Sequence, residues 1–453
     1  MENVNLLKIE DSQFSLHSTQ DILLWLEERK NNLEVCLDRI SLSECEPWYY
    51  DTEEGMIRNK QGSFFQIIGI RHTKDNGEIT EQPIILQEEI GFLGIICCKI
   101  SGVWHYLMQA KIEPGNVNHV QLSPTLQATK SNFTRQHGGA RPAFLEYFLD
   151  MPLQNVLVDQ IQSEQSSRFL GKRNRNVILT VDEQIDEPVT HRWITLTQIK
   201  ELMRYDNLVN MDTRTVLSCI PYVLLGTEGD VPFKNKLYFR KTAESLDRQT
   251  IVNLYNQINH YKMFERGKIE KVPLTDLKNW KMDKEEFHHI MGASFKVIFC
   301  DIVIEGREVN RWRQPLFAAT GIATFGLLCC DDEGILKFLV NIKPEIGCFD
   351  GVEIGPTIQR EAGSTEPEDC VSALFFKKLQ NNEKVLADVL LSEEGGRFFQ
   401  EQNRNVIILI EKEELPEMMP GYVWSDYGTL NILTQINNCL NIQLRNLLSI
   451  LEI

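Results

Sequence analysis

The sequence predicts an α+β fold in two similar halves, and three observations carry that prediction. Slid by 232 positions, the chain matches itself: from residue 82 to 127, without a gap, 15 of 46 residues are identical. Short runs rich in Ile, Val, Phe and Tyr recur in both halves and read as strands. Each half opens and closes on a stretch with helical spacing. Self-similarity at such a period marks duplicated structure, because composition alone matches only a few positions by chance.

The elements follow in order. "STQDILLWLEERKNNLEVCL" predicts a helix over about Thr19 to Arg39, capped by Ser18 or Thr19. "SFFQIIGI", "EIGFLGIICCKI", "WHYLMQAKI" and "NVILTV" predict strands of a mixed or antiparallel sheet. In the repeat, Gln82-Pro83 meets Gln314-Pro315, Gly94 meets Gly326, and Cys97-Cys98 meets Cys329-Cys330. Lys111, Glu113 and Gly115 meet Lys343, Glu345 and Gly347, and Pro124-Thr125 and Gln127 meet Pro356-Thr357 and Gln359. Trp48 meets Trp280, and "SRFLGKRNRNVIL" meets "GRFFQEQNRNVII" at a shift of 229. A second opening helix is expected over about Glu244 to Met263, and the segment at Arg214 to Ile220 pairs with Arg445 to Leu451. The expected domains are residues 1–228 and 229–453. A duplicated chain also offers a pseudo-two-fold arrangement, and a true dimer on top of it.

The composition excludes several classes. With 42% hydrophobic and 25% charged residues the chain is an ordinary globular mixture. A net charge of −17 argues against general nucleic-acid binding and against docking on anionic membranes. No apolar run approaches a membrane span of about 20 residues, and "MENVNLLKIEDSQF" lacks signal-peptide character. Eleven cysteines, two pairs of them in apolar runs, suit buried reduced thiols in the cytoplasm. There is no CxxC, HExxH, GxGxxG, GxxxxGK[ST] or GxSxG. His288-His289 reads as an isolated structural pair, and neither metal nor cofactor is expected.

Basic residues gather at two places. "SRFLGKRNRN" holds Arg168, Lys172, Arg173 and Arg175, and the loop at 130–141 holds Lys130, Arg135 and Arg141 beside Ser131, Asn132 and Thr134. Either cluster alone is accounted for by a solvated face. The two together, in so acidic a chain, favour an anion site, with arginine suited to bidentate phosphate recognition and Trp48 to stacking on a base. A small ligand bearing a diphosphate, such as a nucleotide-sugar, fits. Lys111 and Glu113 alternate on one strand and share a face, as a surface ion pair or as two groups on a pocket floor. His137 is a candidate acid or base.

"EQPIILQEEIGFLGII", "LMQAKIEPGN", "QLSPTLQATKSNFTRQHGG", "FLEYF" and "QSEQSSRFLGKRNRNV", with "GREVNRWRQPLF", "GPTIQ" and "GGRFFQEQNRNV" in the second half, resemble the NDP-hexose 2,3-dehydratase family. The resemblance covers the chain from about Asp21 to its end. It implies two tandem Nudix-like domains, a homodimer, and removal of water across C2 and C3 of dTDP-4-keto-6-deoxyglucose. A hydrolytic Nudix enzyme needs a Gly followed by REUxEE, which this sequence lacks, and fold does not fix function. Ligand contacts implied by the resemblance fall on Trp48 and on Ser131, Asn132, Phe133, Thr134 and Arg135. In the second half they fall on Trp280, Lys343, Gln359, Arg360, Glu361, Arg397, Asn403 and Arg404, with Arg168 and Arg175 expected at the phosphates. Lys111, Glu113 and His137 are the catalytic candidates: Lys111 as a cation facing the enolate or phosphate, Glu113 or His137 as base or acid. The second half carries "REAGSTEPEDC" where the first carries its basic loop, so it is expected to be scaffold or a weaker nucleotide pocket.

Overall fold

The computed structural model describes residues 14–62, 64–129, 141–225, 242, 245–305, 309–364, 369–415 and 419–451. Ser18 caps the first helix, its hydroxyl accepting from the Asp21 N–H while the Asp21 carboxylate reaches back to the Ser18 N–H. This reciprocal pairing satisfies two donors that a helix start leaves open. The helix runs Thr19–Asn31 and ends well before Arg39. Val35–Ile40 is instead a strand. Its Val, Leu and Ile suit a strand, and pairing with Phe295–Ile304 of the second half overrides the helical periodicity. The second opening helix is Arg248–Phe264, capped by Asp247.

Two seven-stranded sheets share one connection pattern. In the first, the order is Val156–Ser163, Arg173–Val181, Gly91–Ile100, Val103–Ile112, His191–Thr195. In the second it is Val385–Ser392, Gln402–Leu409, Ala323–Asp332, Ile335–Pro344, Tyr422–Asp426. The central pair is parallel in each, with Asn174 opposite Gly91 and Asn403 opposite Ala323. The registers therefore carry both sequence offsets, 232 on one strand and 229 on the other.

The recurring residues recur for identifiable reasons. The Thr125 hydroxyl accepts from the Ile96 N–H at 2.9 Å and donates to the Leu107 carbonyl; Thr357 does the same between Leu328 and Leu339. Cys97 and Cys329 each donate to a carbonyl of the neighbouring strand. All eleven cysteines are free, and all but Cys36 and Cys370 are buried.

The halves are interlocked. Val35–Ile40 completes a sheet of second-half strands, and Lys268–Val272 completes a sheet of first-half strands by pairing with Gln66–Thr73. Helices Met211–Ser218 and Ile442–Ile450 pack on each other inside one continuous core. Buried Arg214 and Arg445 reach across, to the Ser392 and Ser163 carbonyls at 3.0 and 2.6 Å. At Gly115 an added Cβ would lie 1.7 Å from the Phe398 carbonyl oxygen, and at Gly347 2.0 Å from that of Phe169. Only glycine admits so close an approach of another backbone. The expected boundary at 228/229 lies outside the described residues, and these exchanges make the halves one body. No described helix is long and apolar enough to cross a membrane. His288 is not isolated: its Nδ1 lies 3.5 Å from both Asp283 and Glu286.

Candidate active site

A cavity of about 840 Å³ opens between the first large sheet and a wall from the second half. Its floor is the strand Val103–Ile112 and the turn that follows. Period-2 spacing aims Lys111 and Glu113 at the same space. Lys111 Nζ lies 3.3 Å from Glu113 Oε1, which also accepts from Gln127 Nε2 at 3.0 Å. Glu113 Oε2 accepts the Gly395 N–H at 3.0 Å, so a second-half loop sits directly on this carboxylate. Asn210, the N-cap of helix Met211–Ser218, donates to Gln127 Oε1 at 3.1 Å and fixes the amide's orientation.

Four more charged groups from this floor and wall face the cavity. Asp212 lies in the first turn of the helix that Asn210 caps, and Glu164 and Lys172 flank the turn between two strands of the sheet. Glu394 comes from the second half. Glu164 is held by Asn174; Lys172 donates to the Glu89 carbonyl at 2.5 Å. Burial, with Glu394 nearby, pushes the Glu164 carboxyl up to about 7. Burial pulls the Lys172 ammonium down to about 8 against the pull of Glu164. Burial and the surrounding Glu164, Glu394 and Glu113 raise Asp212 well above the ordinary aspartate range. Burial and Glu113 raise Glu394. Carboxyls held partly neutral beside cations can give and take protons near neutral pH.

Arg397, also from the second half, lines the cavity with its guanidinium over the Phe65 ring at 4.4 Å and Nη1 donating to the Gly396 carbonyl at 2.9 Å. Among the described residues no carboxylate lies within ion-pair distance of it. Trp48 lines the cavity too, but is 3% exposed and packs on Phe65 at 4.7 Å. At the rim, Arg311 and Arg313 are both committed to Asp301, at 2.7 and 3.2 Å.

The structure thus brings Trp48, Lys111, Glu113 and Arg397 into one space. Ser131, Asn132, Phe133, Thr134, Arg135 and His137 lie outside the described residues; Ala128 and Thr129, just before them, line the cavity. Arg175 and Arg404 lie elsewhere. Each forms a two-pronged surface pair, with Asp159 at 2.7 and 2.5 Å and with Asp388 at 2.8 and 2.6 Å. On a strand next to the cavity, their side chains take the opposite face. Trp280 stacks on Phe287 within an aromatic cluster, at 5.5 Å.

The remaining expected contacts assemble a second, matching place in the second half. Gln359 Nε2 donates to Glu345 Oε1 at 2.8 Å and Asn441 Nδ2 to Gln359 Oε1 at 2.9 Å, as Gln127, Glu113 and Asn210 do in the first. Lys343 again precedes Glu345 by two positions, and Asn403 donates to Glu393 at 2.5 Å. Here Arg168 is 2% exposed, and its Nη2 lies 2.7 Å from Glu361 and 3.7 Å from Glu401. Arg360 lies over the Phe376 ring at 5.2 Å. Asp212, Glu164 and Glu394 do not stand out as site residues in the sequence, and Lys172 stands out there only as one cation of a basic cluster. Each carboxyl sits in a segment that is ordinary in composition, and what marks all four is the comparison of the two places.

The family model described as NDP-hexose 2,3-dehydratase matches residues 19–220 and again 252–451. A dTDP-4-dehydro-6-deoxy-alpha-D-glucopyranose 2,3-dehydratase of Saccharopolyspora spinosa is 36% identical, over 96% of this chain and 91% of its own length. Proteins of the same description from Streptomyces violaceoruber and Amycolatopsis orientalis are 35% and 33% identical, over 94% and 95% of this chain and 95% and 89% of their own lengths. The chain belongs to the NDP-hexose 2,3-dehydratase family.

Proposed function

We propose that this chain removes water across C2 and C3 of dTDP-4-keto-6-deoxyglucose, in the biosynthesis of dideoxysugars. The observation that carries the reading is the cavity itself. It combines cationic groups for a diphosphate, Arg397 among them with no carboxylate in ion-pair distance among the described residues, with carboxyls poised for proton transfer, in a chain that full-length dehydratases resemble. The C4 ketone acidifies the C3 hydrogen and stands β to the C2 hydroxyl. A base takes the C3 proton and leaves an enolate; the C2–O bond then breaks, and a proton from an acid turns the departing hydroxide into water. The resulting enol takes its proton at C2 and becomes the 3,4-diketone. One water is lost and no electrons are exchanged, so proton transfers and a donor to the C4 oxygen suffice.

Arg397, Lys172 and Lys111 supply cations within the cavity, and Trp48 an aromatic edge. Lys111 serves the developing enolate or the phosphate, with Glu113 holding it in place. Ser131, Asn132, Thr134, Arg135 and His137 follow in the sequence shortly after Ala128 and Thr129, which line the cavity, and are kept as candidate ligand contacts by the family resemblance. Two sheets of one topology, read twice by the same family model, support two Nudix-like halves arising by duplication, and the family resemblance supports a homodimer in the cytoplasm. The experiment is incubation with dTDP-4-keto-6-deoxyglucose in the presence of a chelator. A dehydratase yields a labile diketone with dTDP still attached. Release of a phosphorylated fragment, or unchanged sugar, contradicts the reading.

A further inference from the structure

The two matching places allow each cavity group to be compared with its counterpart in the same molecule. The pairs keep register through equivalent strands and hydrogen bonds. Some groups are the same in both: Lys111 and Lys343, Glu113 and Glu345, Gln127 and Gln359, Asn174 and Asn403, Glu164 and Glu393. Gln127 and Gln359 hold Glu113 and Glu345, and Asn174 and Asn403 hold Glu164 and Glu393, by the same bonds at each place, although Arg168 and Glu361 fill the second. A group kept where an internal ion pair occupies the space is explained by folding. Others differ. Asp212 has Gln443 as its counterpart, Glu394 has Gln165, Lys172 has Glu401 and Thr129 has Glu361.

Two of these differences are carboxyl to amide with the size nearly kept. Gln443 is 1% exposed, and neither of its amide atoms has a hydrogen-bond partner; the Gln165 oxygen is likewise buried without one. The second place, built from Gln443 of the second half and Gln165 of the first, thus keeps a polar shape at both positions but no carboxyl. In the cavity, Glu113 is pinned by three donors and Glu164 by Asn174. Asp212 is 2% exposed, and neither its carboxylate nor that of Glu394 accepts a hydrogen bond among the described residues. A buried carboxyl without a partner is costly unless something else at the site uses it.

We propose that Glu394 and Asp212, rather than the Lys111–Glu113 pair, move the protons: Glu394 takes the C3 proton, and Asp212 gives one to the departing C2 oxygen. This assignment rests on the dehydratase reading. The electrostatics agree with the division of labour. Asp212 is enclosed by helix and sheet and faces Glu164, Glu394 and Glu113, with Lys111 and Arg214 opposing; burial and the three carboxylates favour the neutral acid. Glu394 is half-buried and raised by burial, Glu113 and Glu164, but unlike Asp212 it faces three cations, Arg397, Lys111 and Lys172, which favour its anion. It also belongs to the half opposite the floor, so acid and base approach the sugar from different walls.

The test uses substitutions that the fold already carries at its second place, Asp212→Gln and Glu394→Gln, beside Glu113→Gln. Each is incubated with dTDP-4-keto-6-deoxyglucose in D2O, following deuterium entry at C3 and diketone formation, with dTDP affinity as the measure of an intact cavity. Glu394→Gln is expected to lose both exchange and product by about 10²–10⁴-fold. Asp212→Gln is expected to lose product by a similar factor while exchange continues. Should Asp212→Gln fail to bind dTDP, Asp212→Asn, which removes a methylene from it, carries the same test. If both carboxyl variants bind dTDP and keep exchange and product within about fivefold of wild type, the assignment is overturned. It is equally overturned if Glu113→Gln alone abolishes exchange with dTDP binding intact. A wild-type chain that neither exchanges C3 nor forms product overturns the dehydratase reading instead.

Discussion

Arg168 Nη2 lies 2.7 Å from Glu361 Oε2, while Arg397, its counterpart in the other half, has Thr129 where Arg168 has Glu361. Both guanidiniums lie over a phenylalanine ring, Phe295 and Phe65, at 4.2 and 4.4 Å. One exchange of side chain therefore separates an arginine neutralised from within from an arginine available to an anion. It also gives the acidic stretch of the second half a physical role: Glu361 neutralises Arg168 from within the fold.

Glu361→Thr is expected to destabilise the protein by about 2–3 kcal/mol, because Glu401, at 3.7 Å, is then the one carboxylate left to Arg168 among the described residues. Equilibrium unfolding in denaturant measures this. A variant as stable as wild type would show that the pair contributes nothing net.

Arg397→Ala is expected to weaken dTDP binding by about 1.5–3 kcal/mol, the range for a charge-assisted contact, with little change in the unfolding midpoint. Titration calorimetry with dTDP checks it, and unaltered affinity would remove Arg397 from the anion site.

Gly115→Ala places a methyl 1.7 Å from the Phe398 carbonyl oxygen. Backbone on both sides cannot yield cheaply, so the expected cost is about 3 kcal/mol or more. Gly62→Ala, at φ +66° in open space, should cost only about 1 kcal/mol. Thermal unfolding of the two variants side by side gives the order.

Glu353 is 1% exposed, accepts from Ser163 Oγ at 2.8 Å and faces Arg445, Glu345 and Asp350. Burial raises it from the ordinary value of 4.5 to about 8. The native state therefore binds more protons than the unfolded chain between those values. Stability is full below pH 4.5 and falls as pH rises towards 8, by up to about 1.4 kcal/mol per pH unit. The first half carries Gln121 at this position, so Glu353→Gln fits the fold and should flatten that part of the stability profile. A profile of unchanged slope would contradict it.

Much of the fold was legible in the sequence because it depends on local pattern. The strands at 66–73, 91–112 and 173–181 announce themselves by Ile, Val and aromatic runs, and the paired Thr125 and Thr357 by their place in the repeat. The first helix was overextended because Val35 and Leu37 fit both periods, and the deciding partner, Phe295–Ile304, lies more than 250 residues away. The cavity was legible on its floor, at Lys111 and Glu113, whose alternation on one strand puts them on one face, and Arg397 entered through the family resemblance. Asp212 and Glu394 were not legible, since a buried carboxylate in a helix or a turn looks in sequence like a solvated one. The repeat nonetheless held the signal: an Asp facing a Gln and a Glu facing a Gln among otherwise matching residues.

A structure of the protein with dTDP bound tests most directly whether one place of the two is the site. The predicted result is a single nucleotide with its phosphates against Arg397 in the first-half cavity, and the Arg168–Glu361 pair intact. Phosphates seated at Arg168, with Glu361 displaced, would contradict it.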